Sequence, residues 1–136
     1  MQREKLSEID TPENRSRMLA ELTSHVGEPN AIGMAGLYEA VFDRPWEHRI
    51  NDTRALRRLV TVMRAEGVPI CSVSSRSGGG YFLAAAGSEL ADYLRRTERR
   101  ALLILQRNAR IKRISLPNYL GQMKLNMEAG SDEQAA

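Results

Sequence analysis

The stretch from Asp52 to Leu83, DTRALRRLVTVMRAEGVPICSVSSRSGGGYFL, limits what this chain can fold into more than any other. Leu56, Leu59, Val60 and Met63 recur at i, i+3, i+4 and i+7, which makes one apolar stripe on a helix. Asp52 or Thr53 is expected to cap its start. Gly67 comes after the last periodic residue and suits the left-handed conformation that ends helices, and Pro69 stops the helix from resuming. The chain beyond Gly67 must therefore be extended. Val68 to Val73 is rich in β-branched residues, Tyr81, Phe82 and Leu83 form a second strand-like run, and Ser74 to Gly80 connects them, which predicts a β-hairpin with a long tip.

The polar side of the helix points to a role. Arg54, Arg57, Arg58 and Thr61 repeat the same spacing on the face opposite the apolar stripe, so one face packs and the other presents guanidinium groups. Charge along the chain agrees. The formal net charge is only +3, but between Arg44 and Arg113 fifteen Lys or Arg stand against six acids, while Met1 to Asp43 carries four against eight. A basic centre with acidic ends is the electrostatic footprint of a protein that meets a polyanion; a solvated face gives the same count.

The run from Thr53 to Ala84 resembles the recognition helix and wing of winged-helix DNA-binding domains, in particular the domain at the N-terminus of biotin ligase/repressor proteins. The residues that carry the likeness are Met63-Arg64-Ala65-Glu66-Gly67, Pro69-Ile70 and Gly80-Tyr81-Phe82-Leu83. The resemblance covers about thirty residues well, a scale that identifies a domain type and leaves function to the site itself. With 136 residues the chain has no room for the ligase portion of those proteins. The implied fold is mainly α with a small β-hairpin: a winged helix with an N-terminal helical arm and a long C-terminal helix. The implied function is double-stranded DNA binding, as a transcriptional regulator of bacterial or phage type. The alternative is a winged-helix interaction module in a phage or replication assembly.

This reading divides the chain into four segments. Residues 1–28 form the arm, started by Thr11-Pro12-Glu13 as N-cap, N1 proline and early acid, with Met18, Leu19, Leu22 and Val26 as its stripe. Residues 29–86 form the winged-helix domain, whose first helix is expected from Ala31 to about Phe42 with Asn30 as cap. Between that helix and the recognition helix a winged helix needs a short strand and a second helix. Arg44 to Asn51 is too short for both, so a shortened helix anchored by Trp46 and Ile50 or a truncated fold is expected.

Residues 87–114 form the longest helix, from Glu89 to about Ile114 with Ser88 as cap and a stripe through Leu90, Leu94, Thr97, Ala101, Ile104, Leu105 and Ile111. Leu102 and Leu103 lie outside that stripe, so the helix is apolar nearly all round near Leu102, Leu103, Ile104 and Leu105, and such a helix wants cover on every side. A second copy of the chain is the expected cover, giving a homodimer, with the N-terminal helix as the other candidate. Residues 115–136 are expected to break at Leu116-Pro117, to form a short amphipathic turn or two, and to end in a disordered tail.

The site residues expected for DNA are Arg49, Arg54, Arg57, Arg58 and Thr61 on or beside the helix, and Ser74, Ser75, Arg76 and Ser77 at the wing. His25, His48 and Cys71 lack zinc-site spacing, so no metal is expected. Gly78-Gly79-Gly80 lacks the Lys-Ser/Thr of a phosphate loop and leads into a strand, which removes that mechanism. No nucleophile motif is present, so neither an enzyme nor a cofactor or small-molecule ligand is expected. One cysteine, no signal-like N-terminus and short apolar runs lead us to expect a cytoplasmic protein without a membrane span.

Overall fold

The computed structural model of the chain describes residues 5–75, 78–85 and 87–135. The elements in order are α1 (Leu6–Ile9), α2 (Pro12–Leu22), a 3-10 turn (Glu28–Asn30), β1 (Ile32–Gly33), α3 (Met34–Phe42), α4 (Arg49–Ala65), β2 (Ile70–Ser75), β3 (Gly78–Leu83), α5 (Ser88–Lys112) and α6 (Leu116–Ala135). The protein is thus mainly helical with one small antiparallel sheet. Its contacts divide into two units, residues 1–91 and 92–136. Among the described residues no helix is long and apolar enough to cross a membrane.

The first unit is built around α4. Leu56, Leu59, Val60 and Met63 are all buried, as their spacing requires, in a cluster with Ile9, Met18, Leu22, Leu37, Tyr38, Val41, Ile70 and Tyr81. The end of α4 also agrees with the sequence. Gly67 has φ 92°, its N–H bonds to the carbonyl of Arg64 at 2.9 Å, and that of Val68 bonds back to Met63 at 3.1 Å. This paired closure satisfies carbonyls that the helix end would otherwise leave bare.

The arm is part of the same core. Thr11 caps α2 by accepting from the Asn14 N–H at 3.1 Å, Pro12 occupies the first turn, and Met18 and Leu22 are fully buried, whereas Leu19 and Val26 stay about 40% exposed. The buried face of α2 packs on α3. Arg15 ties the arm to the far end of α4, bonding Asp10 on one side and Glu66 on the other. That hydrogen bond from Arg15 holds the Asp10 carboxyl below the usual carboxylate range.

The sheet order is β1-β3-β2. The expected helix from Ala31 begins three residues later, because Ile32 and Gly33 are extended and pair with Tyr81 and Gly80. Glycine at position 80 is what lets them approach: a Cβ there would lie 2.6 Å from the Ile32 carbonyl oxygen. Backbone cannot yield as a flexible side chain would. Gly80→Ala should therefore destabilise the fold by about 1 to 3 kcal/mol, measured by urea unfolding. Gly79, with no short backbone clash, should tolerate alanine better.

The hairpin itself has the expected strands, with Cys71 opposite Phe82, both buried, and Ser72 opposite Tyr81. Of the two expectations for the linker, the shortened helix is absent. Arg44 to Asn51 holds no second helix; residues 45–48 are irregular and Arg49–Asn51 are the first turn of α4. Asp52 is accordingly not an N-cap but lies inside the helix.

The second unit consists of the later part of α5 and all of α6. Between them Arg113 takes φ 59°, with Ile114 N–H bonded back to Ala109 at 3.1 Å. Pro117 does not break the chain into a coil; it sits in the first turn of α6, where its missing N–H costs nothing. The expected disordered tail is replaced by helix as far as Ala135.

Candidate nucleic-acid interface

Helix α4 and the hairpin form two walls of an open groove of about 1190 Å³, closed at one end by the start of α3. The α4 wall carries Arg49, Thr53, Arg57 and Thr61, four residues apart along one ridge, with Arg54 and Arg64 beside them. Ser72, Ser74, Gly79, Gly80 and Tyr81 line the hairpin wall, and Gly33 to Gly36 line the end. Four arginines and no carboxylate among the described lining residues make this a positive groove. Such a surface concentrates anions.

Side-chain hydrogen bonds tie α4 to its neighbours at both ends. Arg64 donates from Nε to the carbonyl of Ile70 at 2.6 Å and lies 5.9 Å from the Tyr81 ring centroid, so it joins helix to hairpin while lining the groove. Tyr38, Asp52 and Arg44 fix the start of α4. Asp52 is buried and accepts from Tyr38 Oη at 3.1 Å, from the Glu47 N–H at 3.0 Å and from the His48 N–H at 2.9 Å. Tyr38 Oη in turn accepts from Arg44 Nε at 2.7 Å.

Burial opposes the charge on Asp52, but the donors from His48, Tyr38 and Glu47 outweigh it and hold the carboxyl below the usual range. Burial pushes the Tyr38 hydroxyl up, which keeps it protonated as a donor to Asp52. The network sets the direction of the first turn of α4 and hence of Arg49.

Of the expected DNA-binding residues, the structure brings Arg49, Arg54, Arg57, Thr61 and Ser74 together in this groove. Arg58 does not line it. One residue past Arg57 is a turn of about 100° around the helix, and Arg58 is half-buried on the adjoining side. Arg76, Ser77 and the Ser75 side chain lie outside the described residues. Sequence reasoning missed Thr53, Arg64 and Ser72. The i+4 ridge from Arg49 could have revealed Thr53 had the helix been started at Arg49. Trp46, the only tryptophan, also lines the groove, so its fluorescence can report occupancy.

Of the residues expected at a dimer contact, Leu102, Leu103 and Ile104 are 47%, 56% and 44% exposed, and Leu105 is half-buried. Among the described residues no group of three or more His, Cys, Asp or Glu is placed to hold a metal ion. Cys71 is buried in β2. Comparison with protein-family models, with curated proteins and with solved structures finds no match.

Proposed function

We propose that the first unit is a winged-helix domain that binds double-stranded DNA, and that the protein acts as a transcriptional regulator of bacterial or phage type. The observation that carries this reading is the groove in which Arg49, Arg54, Arg57 and Arg64 gather with hydroxyls of Thr53, Thr61, Ser72 and Ser74, with no acid among the described lining residues. Guanidinium groups and hydroxyls are the side chains that bond phosphate oxygens and guanine edges. The order of elements supports the reading as well. With α2 as first helix, β1 as the short strand and α3 as second helix, every part that precedes a recognition helix is present, and the linker no longer has to supply one.

In this reading α4 lies in the major groove. One sugar-phosphate strand runs between α4 and the hairpin, held by Arg49, Arg57 and Ser74. Arg54 and Thr61 reach base edges. Arg57→Ala should weaken binding to all duplexes by about 1 to 3 kcal/mol and reduce the salt slope by about one, as loss of a phosphate contact does. Arg58→Ala should have a much smaller effect. Titration of short duplexes followed by Trp46 fluorescence checks both. Equal effects of the two substitutions would contradict the assignment of the groove.

The second reading, an interaction module in a phage or replication assembly, draws on the exposed apolar residues of α5. A partner-only module would show no steep salt-dependent affinity for DNA.

A further inference from the structure

Among the described residues of the first unit, Ile50 is the most exposed large hydrophobic, at 72% where Leu6, Leu19 and Val26 are near 40%. Single exposed apolar side chains are common on protein surfaces. The place of this one is not. The expectation that Ile50 anchors the linker with Trp46 is not met: Trp46 packs against the core, whereas Ile50 stands in the first turn of α4 and lines the groove. Arg54, Arg57 and Thr61 follow it at i+4, i+7 and i+11, on the same side of the helix. All three are exposed and line the groove with it. Helix propensity does not call for isoleucine there either, since β-branched residues are among the poorer choices for an open helix position.

A ligand that fits this row must be anionic and must offer an apolar group beside its polar ones. Duplex DNA has one such group on the base edges of the major groove, the C5-methyl of thymine; the other edge groups are hydrogen-bond donors and acceptors. Arginines suit the phosphates and the guanine edge, and an isoleucine suits the methyl. Position agrees with chemistry, because the N-terminal residues of a helix lying in the major groove are the ones that reach base edges.

Resting on the DNA-binding reading of the groove, we propose that Ile50 is a specificity-determining residue that packs on the C5-methyl of a thymine. The protein then prefers duplexes with thymine at the position Ile50 meets, a preference that the arginines of the same ridge do not supply.

Uracil tests this, because it differs from thymine by the methyl group alone and pairs with adenine in the same way. The full chain should bind a short duplex of alternating A·T pairs about fourfold more tightly than the same duplex with uracil for thymine, the effect of one methyl group leaving water. Anisotropy of end-labelled duplexes reads both affinities. Ile50→Ala should bind the two duplexes equally, near the parent's affinity for the uracil duplex, and Ile50→Val should keep part of the preference. Melting temperatures of the variants should match the parent, since the side chain is exposed. Equal affinity of the parent for both duplexes, or a preference that survives in Ile50→Ala, would overturn the role of Ile50 and leave the groove as the DNA site. Absence of binding to either duplex would overturn the role of Ile50 together with the reading it rests on.

Discussion

The double variant Arg54→Glu/Arg57→Glu should bind duplex DNA about 1000-fold more weakly than the parent chain. Each arginine that contacts phosphate or base contributes about 1 to 3 kcal/mol, and tenfold in affinity corresponds to about 1.4 kcal/mol. Two losses account for roughly a hundredfold, and two carboxylates placed on the proposed path of the sugar-phosphate strand add repulsion. Both side chains are exposed in the groove, and the buried stripe of α4 lies on the opposite side. The fold should therefore survive. Thermal unfolding within a few degrees of the parent, together with loss of DNA binding, is the expected pair of results. Loss of binding with collapse of the fold would say nothing for the groove, so both must be measured on the same preparation.

The second large effect is on stability. Asp52→Ala removes the acceptor for the Tyr38 hydroxyl and for two backbone N–H groups at the start of α4. Leaving buried donors without a partner costs about 1 to 3 kcal/mol, and the first turn also loses its anchor. We expect a loss of about 2 to 3 kcal/mol, which lowers the melting temperature of a domain this size by roughly 10 °C or more. The pH dependence is set by the direction of the shift. Asp52 is held below the usual carboxylate value when folded, so its contribution is complete above that value and is lost as pH falls through the lower, folded one. Asp10, lowered by Arg15, acts in the same sense. Denaturant titrations between pH 7 and the acid range, near pH ~3, should show the parent losing stability on acidification and Asp52→Ala losing less.

Local pattern made α4 and the hairpin readable, because their signals are local. The four stripe residues of α4 face the core by periodicity alone, Gly67 ends the helix through its own backbone, and Cys71 lies buried in a strand as its neighbours imply. The start of α4 was not readable. Asp52 looks like a cap to any scan of neighbours, but α4 starts at Arg49, and Asp52 inside it accepts from Glu47, from His48 and from Tyr38, fourteen residues away. Two-residue β1 has no periodicity to detect; it exists because Gly80 leaves room for it. Pro117 reads equally as the end of one helix and the opening of the next, and the turn at Arg113 decides in favour of the second.

The same division runs through the candidate site. Helical spacing puts Arg54, Arg57 and Thr61 on one side of α4, and all three line the groove. Arg58 shares that spacing but falls outside the groove, because the groove has a second wall that sequence spacing on one helix does not describe. Arg64 was overlooked for the same reason: its place depends on Ile70 and Tyr81 across the turn.

Mapping amide chemical-shift changes by NMR as duplex DNA is added to the full chain tests the central claim most directly. The account predicts that the largest changes fall on Arg49 to Arg64 and on Ser72 to Ser74, with little change in α6. Changes confined to α5 and α6, or none at millimolar DNA, would contradict it.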